Sequence, residues 1–392
     1  MAKSLAFWVE GSNLTQTSIT AKKNPKGKQK KKTAPSPVGI GQAEVELHFN
    51  YWSVSASSPT AIDYLDVGVK FSGIESFETI KIFFPFNVTE NSYVASLGRT
   101  VCNTPTLISA IFNTRVKETK HDGERMDITF RHEKDLKLRF HSQIALGPHG
   151  DGVTLSRLSG GSPGTTLSFP IKLFKREKED RLDDLPHYFR FRIKMSAEDK
   201  SVLSQTYSAK DSWLLSHFDS TEIVDFRVNE IRNLPAQIRS KLEYDSYISS
   251  VHFFLIRETN SEHKLSHTEF KRCRVLEKDL WETYLKEDDQ KITLPDKMLI
   301  YHWRELSKRD QNGKLLEHLE NFSAFAKFSK TVVSNLTILI FLFSLIIIGA
   351  VSGIAGNYAY TYMTEKPESK EQQTETTTKK QSMEQKLTEK QQ

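Results

Sequence analysis

A chain of 392 residues with 55 Lys and Arg against 49 Asp and Glu carries a formal net charge of +6, and its mean hydropathy of −0.48 excludes a bundle of membrane spans. The basicity is local: seven lysines (Lys22, Lys23, Lys26, Lys28, Lys30, Lys31, Lys32) share one short block, and without their charge the +6 becomes −1, so the body is close to neutral. Two cysteines, Cys102 and Cys273, make no disulfide framework, which fits a reducing compartment.

From the N-terminus, the apolar run Leu5-Ala-Phe-Trp-Val9 is too short for the hydrophobic region of a secretory signal and reads as a first strand. Residues 11–40 are rich in Lys, Pro and Gly and cannot bury enough apolar surface to offset their ordering entropy, so a disordered Lys-rich loop is expected. From Glu44 an alternation of period two takes over. Val45, Leu47 and Phe49, then Leu65, Val67, Val69 and Phe71, share one face of their strands, while Glu44, Glu46, His48, Asp66 and Lys70 share the other. Strands follow at 78–86, 153–158 and 165–174. A hairpin joins 126–131 to 136–141 across four polar residues.

The charged run 175–184 suggests a boundary between a β-rich domain at 41–175 and a second one, or a continuation of the first, at 185–305. Strands are expected at 188–195, 222–231, 250–256 and 298–303. A short helix is expected after Pro235 and another through 275–285. Leu315, Leu316, Leu319, Phe322 and Phe325 or Ala326 predict a juxtamembrane helix over 313–330. Residues 331–364 contain no Asp, Glu, Lys, Arg or His, and twenty apolar residues from Leu336 to Ala355 make about 30 Å of helix, the thickness of a bilayer's hydrocarbon core. One transmembrane helix over 331–362 is therefore expected, and a disordered polar tail over 363–392. The fold class is mainly β, antiparallel and sandwich-like, with a few short helices and one C-terminal transmembrane helix.

Several residue groups are candidates for function. Gly349, Ser352, Gly353 and Gly356 form a small-residue face that would let two membrane helices approach, hence a homo-oligomer. The Lys22–Lys32 block is a candidate for contact with anionic lipid headgroups. Nucleic acid is disfavoured as its partner because no aromatic residue is interleaved for base stacking. If strands 188–195 and 222–231 lie side by side, Arg190, Arg192, Lys194 and Arg227 form a cationic stripe for an anionic ligand or acidic partner, although such a stripe is more often the wet side of a sheet. His263 and His267 would share a face if helical, but one such pair among twelve histidines, without the glutamate of a metalloprotease motif, is not read as a metal site, and no metal is expected. The arginines flanking Cys273 would lower its thiol pKa, but with no partner base to name an inert thiol is expected.

No catalytic signature stands above background: there is no phosphate-binding loop, dinucleotide fingerprint or nucleophile elbow. No cofactor is expected. The expectation is a single-pass membrane protein whose sheet-rich head, on the cytosolic side, is a binding, sensing or scaffold module. Two alternatives remain: a membrane effector of toxin or defence type that clusters and perturbs the bilayer, and an anchored enzyme whose site is assembled from unconnected loops.

Overall fold

The computed structural model describes residues 3–11, 43–53, 63–74, 77–132, 135–148, 152–160, 163–175, 185–208, 219–243, 246–286, 294–331, 335–364 and 377–383. In chain order the elements begin with strands β1 (Ala6–Glu10), β2 (Glu44–Ser53), β3 (Asp63–Ser72), β4 (Thr79–Phe84) and β5 (Tyr93–Val94). Helices α1 (Leu97–Cys102) and α2 (Pro105–Phe112) follow, then β6 (Val116–Asp122), β7 (Arg125–Phe130), β8 (Leu136–His141), β9 (Thr154–Arg157), β10 (Thr165–Pro170) and β11 (His187–Met195). Next come α3 (Ala197–Leu203), β12 (Ser204–Ser208), β13 (Asp219–Val228), α4 (Ala236–Arg239), β14 (Ile248–Glu258), β15 (Ser261–Ser266) and β16 (Arg272–Val275). The chain continues through α5 (Lys278–Leu285), β17 (Met298–Leu306) and β18 (Phe322–Thr331) to the long helix α6 (Asn335–Thr364).

The strands form one large sheet and two small ones. The large sheet runs β16-β17-β14-β2-β3-β11-β8-β7-β6, with β5 also on β11. The small sheets run β1-β4-β10-β9 and β12-β13-β18-β15. Among the described residues, these strands pair antiparallel except β2 with β14 and β8 with β11, and isolated parallel bridges join Leu5 to Val228 and Leu146 to Val153. Residues 3–331 fall in one compact unit, and β3 pairs with β11 across the charged run 175–184, so strands from the two expected halves share one sheet.

The alternation seen from Glu44 onward decides which side of the large sheet is greasy. Val45, Leu47, Phe49, Val67, Val69, Phe189, Phe191 and Phe253 point inward and form one core with Ile80, Ile82 and Phe169 of one small sheet and Phe226, Ala324 and Phe328 of the other. Aromatic contacts join the layers: the Phe226 ring stacks on Phe253 at 4.2 Å, and the Phe169 ring lies tilted 4.9 Å from Phe189. Such pairs contribute about 0.5–1.5 kcal/mol each beyond their buried area.

The opposite face of the large sheet is covered in part by α1, α2 and α5. There Trp52, Tyr64, Tyr188 and Ile256 meet Leu97, Val101, Leu107, Ile108, Trp281 and Tyr284 in a second core. The sequence reading did not place α1 or α2, although Thr104-Pro105 puts a proline in the first helical turn.

Two expectations are corrected. Residues 313–330 are not a helix, because 322–331 is β18, held between β13 and β15. Phe322, Ala324, Ala326 and Phe328 bury themselves at period two, while Leu316 is exposed. The helical spacing mixed residues from two environments. The disordered tail is the other: residues 363–364 belong to α6, and 377–383 are helical.

Helix α6 is a separate unit. Its stretch Ile338–Thr364 is 27 residues long, with a mean hydropathy of 2.7 over its most apolar 18-residue window, long and apolar enough to cross a membrane. The Lys22–Lys32 block lies outside the described residues.

Candidate functional site

Outside the second core, the outer face of the large sheet floors a cavity of about 890 Å³. Register sets the outward-facing residues beneath it in two rows, of which Arg304, His252, His48, Arg190, His302, Phe254 and Asn50 line the cavity. One runs Arg304, His252, His48, Gly68, Arg190 across β17, β14, β2, β3 and β11. The other runs His302, Phe254, Asn50, Asp66, Arg192 across the same strands. Phe112 of α2 and Thr114 just after it, Phe130 and Leu138 of the β7–β8 hairpin, and Trp281 of α5 also line the cavity.

Glycine is required at position 68. A Cβ there would meet the Tyr188 hydroxyl oxygen at 2.1 Å and the His48 Cβ at 3.3 Å. The missing side chain lets the tyrosine ring of β11 lie across β3, with its hydroxyl 3.5 Å from His48 Nδ1.

Burial and hydrogen bonding set the electrostatics. Arg192 is 1% exposed and Asp66 0%. Arg192 donates from Nε and Nη2 to the two oxygens of Asp66 at 2.6 and 3.1 Å. Asp66 Oδ2 also accepts from Trp52 Nε1 at 2.8 Å and from the Tyr284 hydroxyl at 2.6 Å. Arg190, equally buried, donates from Nε to the Tyr284 oxygen at 2.7 Å and from Nη1 to the Tyr188 oxygen at 3.0 Å. Its Nη2 has no hydrogen-bond partner among the described residues, and neither do Asn50 Oδ1 and His252 Nε2. All three residues line the cavity.

The charged lining is one-sided: Lys70, Lys137, Arg190, Lys271, Arg272, Arg274 and Arg304 stand against Glu46 and Glu305. Glu46 accepts from His48 Nε2 at 2.7 Å and from Lys70 at 3.3 Å. Burial pushes its carboxyl up, but His48, Lys70 and His252 more than offset that and hold it well below the usual carboxylate range. Burial, with His48 alongside, lowers His252 to about 2. Burial, with Arg304 and His48 nearby, lowers His302 to about 4. Both rings are therefore neutral near pH 7. Among the described residues, Glu46, His48 and His252 form a group of three metal-competent side chains with donor atoms within 4.8 Å of one another.

The structure redistributes the candidates drawn from sequence. The stripe Arg190, Arg192, Lys194, Arg227 does not exist. β11 lies between β3 and β8, whereas β13 belongs to a small sheet, where Arg227 pairs with Asp225 at 2.8 Å. Arg190 and Arg192 do share a face, but helices cover it: Arg192 is consumed by Asp66, Arg190 reaches the cavity, and Lys194 lies half-buried opposite Tyr64. Gly349, Ser352, Gly353 and Gly356 are exposed along α6, and a Cβ at any of the three glycines would meet nothing within 4 Å. His263 lies on strand β15 and His267 just beyond it, so no helical face joins them. Burial raises the Cys273 thiol and its flanking arginines do not reverse this.

Glu46, His48, Asp66 and Lys70 read as an ordinary wet sheet face in the sequence. Two signals marked the site: a glycine inside an otherwise regular strand, which points to a close approach, and histidines placed inside β2, β14 and β17. No protein-family model matches the chain, and no curated protein matches it.

Proposed function

We propose that this chain is a membrane-anchored binding or sensing protein whose sheet-rich head takes an anionic ligand, of phosphate or carboxylate type, in the cavity on the outer face of the large sheet. One observation carries the reading: the buried guanidinium of Arg190 has a free Nη2 among the described residues, on a cavity with seven cationic side chains and two carboxylates. Leaving a buried donor unsatisfied costs about 1–3 kcal/mol, and more for a charged group, so a ligand oxygen is the complement this site lacks. The remaining cations steer an anion inward. α6 is the anchor, the head lies on the cytosolic side, and the Lys22–Lys32 block adds contact with anionic headgroups.

Calorimetric titration of the full chain in detergent with inorganic phosphate and pyrophosphate, with glycerol as a neutral control, tests the assignment. Arg190→Met is expected to weaken anion binding by roughly 10- to 150-fold, from the 1.5–3 kcal/mol of a hydrogen bond to a charged group. Equal binding by both proteins, or none by the parent, refutes it.

Two further readings each rest on an observation. The exposed small-residue face of α6 favours assembly in the bilayer, the requirement of a membrane effector. Gly349→Leu with Gly353→Leu should abolish crosslinked oligomers and any membrane permeabilisation while sparing anion binding. The meeting of Glu46, His48 and His252 in the anion cavity favours an anchored enzyme, and turnover of a chromogenic phosphate ester that is lost in Glu46→Gln would support it.

A further inference from the structure

We propose that Glu46, His48 and His252 hold a divalent transition-metal ion, zinc being the best match, through the Glu46 carboxylate and the Nε2 atoms of the two imidazoles. The three side chains come from β2 and from β14, its parallel neighbour, where register sets His48 directly beside His252. Glu46 lies two residues before His48 and therefore on the same face. The donors converge: His48 Nε2 is 2.7 Å and His252 Nε2 3.8 Å from the same oxygen, Glu46 Oε1. Around a tetrahedral ion with bonds of about 2.0–2.1 Å, adjacent donors stand about 3.3 Å apart, a value these two separations straddle. Closing the site needs side-chain adjustments of well under an ångström for these pairs.

The other ring nitrogens are already engaged, as they are in metal sites, where an outer partner fixes the tautomer and aims the ligating atom. His48 Nδ1 faces the Tyr188 hydroxyl, which Arg190 fixes from behind. His252 Nδ1 faces His302 Nε2 at 3.3 Å. His252 Nε2, the atom assigned to the ion, is the one with no hydrogen-bond partner among the described residues. A donor set of two imidazoles and one carboxylate without thiolate suits zinc and its borderline neighbours. Three protein ligands leave a coordination position open, and all three line the cavity. A water or an oxygen of an anionic ligand would fill it. Only this last step rests on the anion-binding reading; the metal assignment stands without it.

The test uses the full chain in detergent, stripped with chelator. It is titrated with Zn2+ by calorimetry and with Co2+ by its visible ligand-field absorption. One ion per chain is expected, with a metal-dependent rise in the unfolding temperature of the unsubstituted protein, a readout that needs no variant. His252→Ala and Glu46→Gln should each abolish the Co2+ bands. His302→Ala should weaken affinity by about 10- to 100-fold, as loss of an orienting partner does, and His121→Ala, at an exposed site, should change nothing. Failure of the parent chain to take up either ion, or uptake indifferent to both His252→Ala and Glu46→Gln, overturns the proposal. Phosphate titration of the chelator-stripped parent chain separates the two readings: phosphate binding without metal, with Co2+ bands on reloading, supports both. Co2+ bands in a parent chain that binds no phosphate support the metal site and refute the anion reading.

Discussion

Replacing Asp66 by Asn removes one charge and almost no volume from the centre of the outer core. The carboxylate accepts four hydrogen bonds, from Arg192 Nε and Nη2, Trp52 Nε1 and the Tyr284 hydroxyl, and thereby joins β3, β11, β2 and α5. An amide has one oxygen. If that oxygen takes the position of Oδ2, the NH2 group confronts Arg192 Nε–H; if it takes Oδ1, the NH2 confronts the other three donors. Either way the Arg192 guanidinium, 1% exposed, loses the charge of Asp66. Breaking a buried pair by removing one partner costs about 3–5 kcal/mol, a large share of the ~5–15 kcal/mol that keeps a domain folded. Urea denaturation of the full chain in detergent measures this through Trp52 and Trp281, whose rings lie 5.6 Å apart in the affected core. Adding Arg192→Met removes the buried guanidinium as well, so the double variant should be more stable than the sum of the single changes implies, by about 0.5–3 kcal/mol. An Asp66→Asn protein within about 0.5 kcal/mol of the parent, the range of an ordinary surface change, would refute the assignment of Asp66 as the electrostatic tie of this layer.

Gly68→Ala places a Cβ 2.1 Å from the Tyr188 hydroxyl oxygen and 2.9 Å from its Cζ; overpacking should cost about 1–3 kcal/mol, and Co2+ affinity should fall as Tyr188 leaves His48. His141 and His187 are stacked with Nε2 and Nδ1 2.9 Å apart, and Arg125, Arg139 and Asp127 face them. Burial lowers His141 well below its ordinary value and His187 to about 4. Below pH ~6.5 the unfolded chain therefore binds more protons than the folded one. The stability is present above that pH and is lost as pH falls toward about 4, by about 2 kcal/mol for His187 at pH 5. His187→Phe, which can keep the stack on Phe71, should flatten urea stability between about pH 7 and 5 by that amount, and an unchanged slope would count against it. Burial pushes the Cys102 thiol up to about 12, so iodoacetamide at about pH 8 should leave it unmodified in the folded chain, as intact-mass and peptide mapping would show.

Much of the fold was legible because it rests on local periodicity. Alternation placed β2, β3, β11 and β14, the hairpin β7–β8 appears where its two arms alternate in step, and the uncharged run at 336–355 lies within α6. The stretch 313–330 resisted because its apolar residues fit both periods in part. Only β13 and β15, distant in sequence, supply the ladder that makes 322–331 a strand.

The site was less legible for the same reason. Alternation set Arg190 with Arg192, and Glu46 with His48, on single faces, and this is fixed by backbone geometry alone. Whether a face is wet is decided by what covers it, and α1, α2 and α5 arrive from other parts of the chain to make a solvated stripe into a buried network. Strand order likewise separates Arg227 from Arg190 and brings His252 beside His48, more than two hundred residues away. Side-chain direction is written into each strand by the pleat, whereas neighbours across strands depend on pairings chosen by the whole core. The chain alone therefore determined a sheet-rich head and an apolar helix, and tertiary structure determined where the charges meet.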